Sequence, residues 1–167
     1  MSIAPPKSSP TTAERPAGIL TLAEDRFAAA ARVVSLPLLR VSLAVVFIWF
    51  GALKVADATP VADLVAATVP WLDRAWFIPA LGLAEVLMGI ALLVGRYLTL
   101  ASAVLAAHLC ATFLLLVMQP DVAFQNGNPL LLTTIGEFVI KNVVLISAAL
   151  VIASKLRGAN PRDRVST

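Results

Sequence analysis

The chain has 167 residues, 59% of them hydrophobic and 14% charged, with a formal net charge of +3 and a mean hydropathy of +0.89. That balance excludes a soluble globular domain and leaves room for one unit of a few membrane-crossing helices, without a second folded domain. The excess of basic residues implies no nucleic-acid partner, because the lysines and arginines fall at the ends of apolar runs and not on a basic face with exposed aromatics.

The first 17 residues, MSIAPPKSSPTTAERPA, are rich in Pro, Ser and Thr and read as disordered. They join no basic segment to an apolar one and so do not read as a cleavable signal peptide. From Thr21 the pattern changes. Thr21 with Glu24 forms a capping box, and Leu22, Phe27, Ala30 and Val34 line one side of a short helix suited to a membrane surface, or to a plain lead-in to the first span. Residues 1–35 are therefore expected to be a cytoplasmic tail, disordered and then an interfacial helix.

Four spans follow within residues 36–156, at about 37–56, 77–95, 97–118 and 135–154, each matching a hydrocarbon core of about 30 Å at a rise of about 1.5 Å per residue. The expected fold is all-α, an integral membrane four-helix bundle. Between the first two spans, residues 60–68 suggest a short capping helix with Pro60 at its start and Pro70 beyond its end. Gly95 and Arg96 leave so tight a turn that the second and third helices must be antiparallel neighbours. Residues 157–167 form a short tail.

Basic residues set the orientation. Lys7, Arg15, Arg26, Arg32 and Arg40 precede or open the first span, Arg96 sits in the second connection, and Lys155, Arg157, Arg162 and Arg164 follow or close the fourth. The other two connections hold Arg74 beside Asp57, Asp63, Asp73 and Asp121. The positive-inside rule places both termini in the cytoplasm (N-in/C-in), with Trp71 and Trp76 at the outer interface and Tyr97 at the inner one.

Against this apolar background, Lys54, Glu85, Glu137 and Lys141 are ionisable residues inside the spans. A charge at mid-bilayer costs about 2.5 to 3.5 kcal/mol even on the insertion scale, so such residues are paired or used. Counting turns places all four in the outer half of the bundle, as two cations and two carboxylates. In the fourth span, eleven Ile, Leu, Val and Phe residues contribute about 3 to 7 kcal/mol in favour of insertion, against about 3 for each unpaired central charge. Glu137 and Lys141 stand four apart in the favourable order for an intrahelical pair, leaving Lys54 to Glu85. Gly51 shares a face with Lys54, and Gly82 and Gly89 with Glu85, which lets the two backbones approach where the charges meet. Arg40 lies one turn from the inner end and can snorkel.

His108 and Cys110 are single residues of their kind and supply neither a bis-His haem nor a redox dithiol. His108 shares a face with Thr112 and reads as a hydrogen-bonded packing residue, with a ligand role as the alternative; Cys110 reads as an apolar filler. Asn142 adds a further polar group beside Lys141. No phosphate loop, HExxH or Ser/His/Asp set is present, so the residues point away from a self-contained enzyme. They require no metal and no cofactor.

RVSLAVVFIWFGALKV (40–55), GLAEVLMGIALLVG (82–95) and GEFVIKNVVLISAALVI (136–152) resemble, in order and spacing, signature segments of the YkgB family, small bacterial inner-membrane proteins within the DoxX-like group. Arg40, Gly51, Lys54, Glu85, Gly89 and Lys141 match that pattern. The resemblance implies a multi-pass bundle in the bacterial inner membrane. It also implies an accessory membrane subunit in oxidative or reactive-chlorine stress defence or in quinone-linked electron transfer, with a quinone as a compatible cofactor. Partners would be the bilayer, other membrane or redox subunits, or further copies of the chain. Gly136-Glu137 and Lys141-Asn142 depart from the family's Gly-Arg and Lys-Asp, which makes Glu137 a local counter-ion, and the loop at 57–75 is shorter. Two alternatives stay open: a non-catalytic structural or chaperone-like scaffold whose charges only specify helix packing, and a small transporter that would have to oligomerise.

Overall fold

The computed structural model describes residues 19–157, with side chains from 21 to 154; the expected disorder of the first 17 residues and most of the C-terminal tail lie outside that range. The chain divides into two compact units between Val34 and Ser35. Among the described residues, the first unit holds the opening turns of α1 (Ile19–Val55), where every side chain from 21 to 30 is exposed. A separate short helix followed by a span beginning near residue 37 was the expectation there. Instead one 37-residue helix runs through Pro37, since the flanking Leu, Val and Ala residues keep the backbone helical and a single missing N–H does not end an apolar helix.

In the second unit, α2 (Ala62–Thr68) follows Pro60. Next comes α3 (Arg74–Val94), whose N-cap Asp73 accepts a hydrogen bond from the Ala75 N–H at 2.7 Å. Gly95 ends α3 at φ 80°, and Tyr97 at φ 54° opens α4 (Leu98–Ala111). Two left-handed residues flanking Arg96 thus reverse the chain within three positions, a geometry that glycine adopts without penalty. The third span is interrupted. Thr112 and Phe113 separate α4 from α5 (Leu114–Met118), because the Thr112 hydroxyl donates to the Leu109 carbonyl at 2.6 Å and competes with the helical ladder. Then come α6 (Pro120–Ala123), a hairpin of β1 (Phe124–Gln125) and β2 (Asn128–Leu132), and α7 (Thr134–Arg157). Asn126 and Gly127 turn the hairpin at φ 51° and 70°, both left-handed as a type I′ turn requires.

Four helical runs, at 21–55, 74–94, 98–118 and 134–154, are long and apolar enough to cross a membrane. The protein is therefore an all-α, four-helix membrane bundle with a small two-stranded hairpin added. α1 and α3 run antiparallel with their backbones in near contact, because Gly51 lies against Gly82, and Gly89 against Ala44. α4 packs along α7 and beside α3. Leu43, Phe47, Leu92, Leu105, Leu109 and Ile152 form the heart of the main apolar core. A second cluster around Leu115, Ala123 and Val139 seats the hairpin end, where Gln119 Nε2 also donates to the Leu64 carbonyl at 2.9 Å and to the Thr68 hydroxyl at 2.6 Å.

Candidate functional site: a buried carboxylate between an ammonium and an imidazole

Glu85 occupies the middle of α3, and 4% of it is exposed. It faces inward because the helix turns that bury Gly82, Met88, Gly89 and Leu92 turn it the same way. Lys54 Nζ donates to Glu85 Oε2 at 2.7 Å. His108, in the last turn of α4, places Nε2 3.0 Å from Glu85 Oε1. The ring stands edge-on to Phe47, with centroids 6.0 Å apart.

The glycines set this geometry. A Cβ at Gly82 would stand 2.6 Å from the Gly51 carbonyl oxygen and 2.6 Å from Lys54 Cβ, so only glycine allows α1 close enough for the Lys54 ammonium to meet the carboxylate directly. Lys54 also lies in the last turn of α1, where the helix dipole favours a cation. Beyond it the chain closes over the helix end, with the Asp57 N–H on the Lys54 carbonyl at 3.2 Å and the Ala58 N–H on that of Leu53 at 2.9 Å. Three helices thus each contribute one group, and the formal charges of Lys54 and Glu85 cancel.

The four intramembrane charges do not form a single cluster. Glu137 and Lys141 pair with each other on the surface of α7 at 3.2 Å, with side chains 54% and 67% exposed, and the ammonium lies 5.8 Å from the Phe138 ring centre. Asn142 points elsewhere and donates to the Thr112 hydroxyl at 2.8 Å. Arg40 sits near the α3–α4 turn, close enough that a Cβ at Gly95 would be 3.3 Å from its Nη1, and its buried Nε has no partner. Among the described residues, no three His, Cys, Asp or Glu side chains are grouped to hold a metal ion.

The sequence sets His108 on one face with Thr112 without naming a partner for it, and the structure sets its Nε2 against Glu85. The α3–α4 turn carried the signal. Glu85 lies ten residues before Gly95 and His108 eleven after Tyr97, so a tight antiparallel hairpin brings them to about the same level.

A buried carboxylate in contact with an ammonium and an imidazole from two neighbouring helices defines a polytopic membrane protein with an internal ionisable site. The chain belongs to the DoxX family, whose model matches residues 35–118. That stretch carries Lys54, Glu85 and His108 and ends before α7. No curated protein and no solved structure matches the chain.

Proposed function

We propose that this DoxX-family protein is a YkgB-like accessory subunit of the bacterial inner membrane, with both termini cytoplasmic. It serves quinone-linked electron transfer or oxidative and reactive-chlorine stress defence, and Lys54, Glu85 and His108 handle protons within it. The observation that carries this reading is Glu85 itself, a buried carboxylate with one oxygen on an ammonium and the other on an imidazole. An imidazole can take a proton on one nitrogen and release one from the other. A quinone takes up two protons with two electrons on reduction, and a buried carboxylate–imidazole pair is a suitable donor to its headgroup.

The test compares a deletion strain carrying Glu85→Gln, Lys54→Met or His108→Gln at normal membrane levels with the wild type under hypochlorite and quinone stress. Loss of protection is expected from each variant. Full protection by all three would sink the proposal.

A structural reading is favoured by a different observation, the packing of Gly51 on Gly82 beside a charge-neutral Lys54–Glu85 pair. If the charges only specify helix packing, Lys54→Glu combined with Glu85→Lys should restore both membrane level and stress protection. A swapped protein that folds and fails to protect favours the proton-handling role.

A further inference from the structure

We infer that Arg40 and Arg96, at the end of the bundle that carries the α3–α4 turn, bind the phosphate of an anionic phospholipid headgroup. Gly89 packs on Ala44, and Arg40 stands one turn further along α1, about 6 Å nearer that end. Its guanidinium reaches the turn itself, where a Cβ at Gly95 would be 3.3 Å from Nη1. The side chain is partly buried, and its buried Nε has no hydrogen-bond partner among the described residues. No described carboxylate pairs with it either. In the second unit Glu85 is engaged by Lys54 and His108, while Asp57, Asp63, Asp73, Asp121 and Glu137 belong to the opposite end of the bundle. A guanidinium donor shut away from water without an acceptor is unfavourable, and an anion that reaches it removes the penalty.

Arg96 supplies a second guanidinium, one residue past Gly95. It is exposed, with its guanidinium carbon 5.7 Å from the centre of the Tyr97 ring. Arginine presents its donors in a planar fork that matches phosphate oxygens. Beside the turn, Gly95, Tyr97, Leu98, Thr99 and Leu100 line a shallow hollow of about 360 Å³. Leu98, Thr99 and Leu100 open α4, whose N-cap Tyr97 gives no side-chain hydrogen bond, so their N–H groups add to the positive character set by the two arginines.

A lipid fits this place better than free phosphate. The turn joins two membrane-length helices and so lies at the level of the headgroups, and Tyr97 and Leu100, 73% and 64% exposed, offer apolar surface to the glycerol and upper acyl chain. Two guanidinium groups without a carboxylate select a net negative headgroup over a zwitterionic one, whose ammonium they repel. Phospholipid phosphates occur on both faces of a bilayer, so the site does not depend on which way the chain is inserted. Arg40 is 14 residues before Lys54, about 21 Å along α1, so the lipid site stands or falls independently of the proposed function.

The experiment is native mass spectrometry of the full chain in a neutral detergent, with phosphatidylglycerol and phosphatidylcholine of the same acyl chains added in equal amounts. The wild type is expected to favour phosphatidylglycerol, and Arg40→Gln or Arg96→Gln should each reduce that preference about fivefold. Arg74→Gln removes the same charge at the opposite end and should leave it unchanged. Arg40→Lys keeps a cation at the position and serves if the glutamine variant does not fold; lacking Nε and the planar fork, it should also bind phosphatidylglycerol more weakly than the wild type. A large excess of inorganic phosphate should displace none of the lipid. The inference is overturned if the wild type shows no preference, if Arg74→Gln lowers it as much as Arg40→Gln, or if Arg40→Lys binds as the wild type does. It is also overturned if inorganic phosphate displaces the lipid, which would make this a free-anion site, or if Arg40→Gln lowers thermal stability and leaves lipid preference intact, which would make Arg40 a cap for α3 alone.

Discussion

Each Glu85 oxygen has a neighbour: one lies 2.7 Å from the Lys54 ammonium and the other 3.0 Å from His108 Nε2. The energetic consequences of its neighbours are therefore unequal. Removing the carboxylate as Glu85→Leu strands the Lys54 ammonium in the bundle, and breaking a buried pair in this way costs about 3–5 kcal/mol. Replacing both as Lys54→Met with Glu85→Leu removes the stranded charge, and the double variant should be more stable than either single one. Thermal unfolding in mild detergent checks the order, and additive losses would mean that the two side chains are uncoupled. His108→Phe should cost less, about 1–3 kcal/mol, because it takes the polar imidazole nitrogen away from one carboxylate oxygen while keeping an aromatic ring against Phe47. At this scale the Lys54–Glu85 contact was legible from two charges flanked by small residues. The third member was not, because a single histidine on an apolar helix carries no pattern of its own and is located only by counting across the turn.

At the level of elements, the α1–α3 contact is the least forgiving part of the fold. A methyl group at Gly51 or Gly82 would stand 2.6 Å from a backbone carbonyl oxygen of the opposite helix, and a carbonyl cannot rotate away as a side chain can. Gly82→Ala gains about 1 kcal/mol of helix propensity, and overpacking costs about 1–3, with the separation of Lys54 from Glu85 added to it. The net result should be destabilisation together with loss of the site. A control, Gly127→Ala, strains only the hairpin turn at φ 70°, where nothing lies within 4 Å. If the two substitutions lowered the melting temperature equally, the close helix contact would not be limiting. The Asn126-Gly127 pair between β1 and β2 is a hairpin signal in the sequence itself. The break at Thr112–Phe113 was not readable, because no Gly or Pro marks it and it arises from hydroxyl bonding within the folded helix.

Across the whole molecule, the apolar runs alone made the membrane bundle legible, since each is as long as the bilayer is thick and composition needs no tertiary partner to act. Exposed Trp71 and Trp76 near the start of α3, and exposed Tyr97 at the α3–α4 turn, suit residues at the two interfaces. The proposed orientation puts the Asn126–Gly127 turn outside and Arg96 inside. Alkaline phosphatase fused after Gly127 should then be active, and fused after Arg96 inactive; the reverse pattern would invert the topology. The long α1 escaped the sequence reading for the opposite reason to the spans: Pro37 is a local stop signal, overridden where the surrounding helix is strongly apolar.

The order in which the triad is synthesised has a consequence for biogenesis. Lys54 precedes Glu85 by 31 residues, so α1 reaches the bilayer ahead of the helix that carries its counter-ion. Its place in the last turn of α1 lets the long lysine side chain reach toward the headgroups while it waits. A glutamate in the middle of α3 has no such escape, and it arrives when a cation is already in place to receive it. The chain thus inserts its mobile charge first and its immobile one second, and His108 closes the set only when α4 follows.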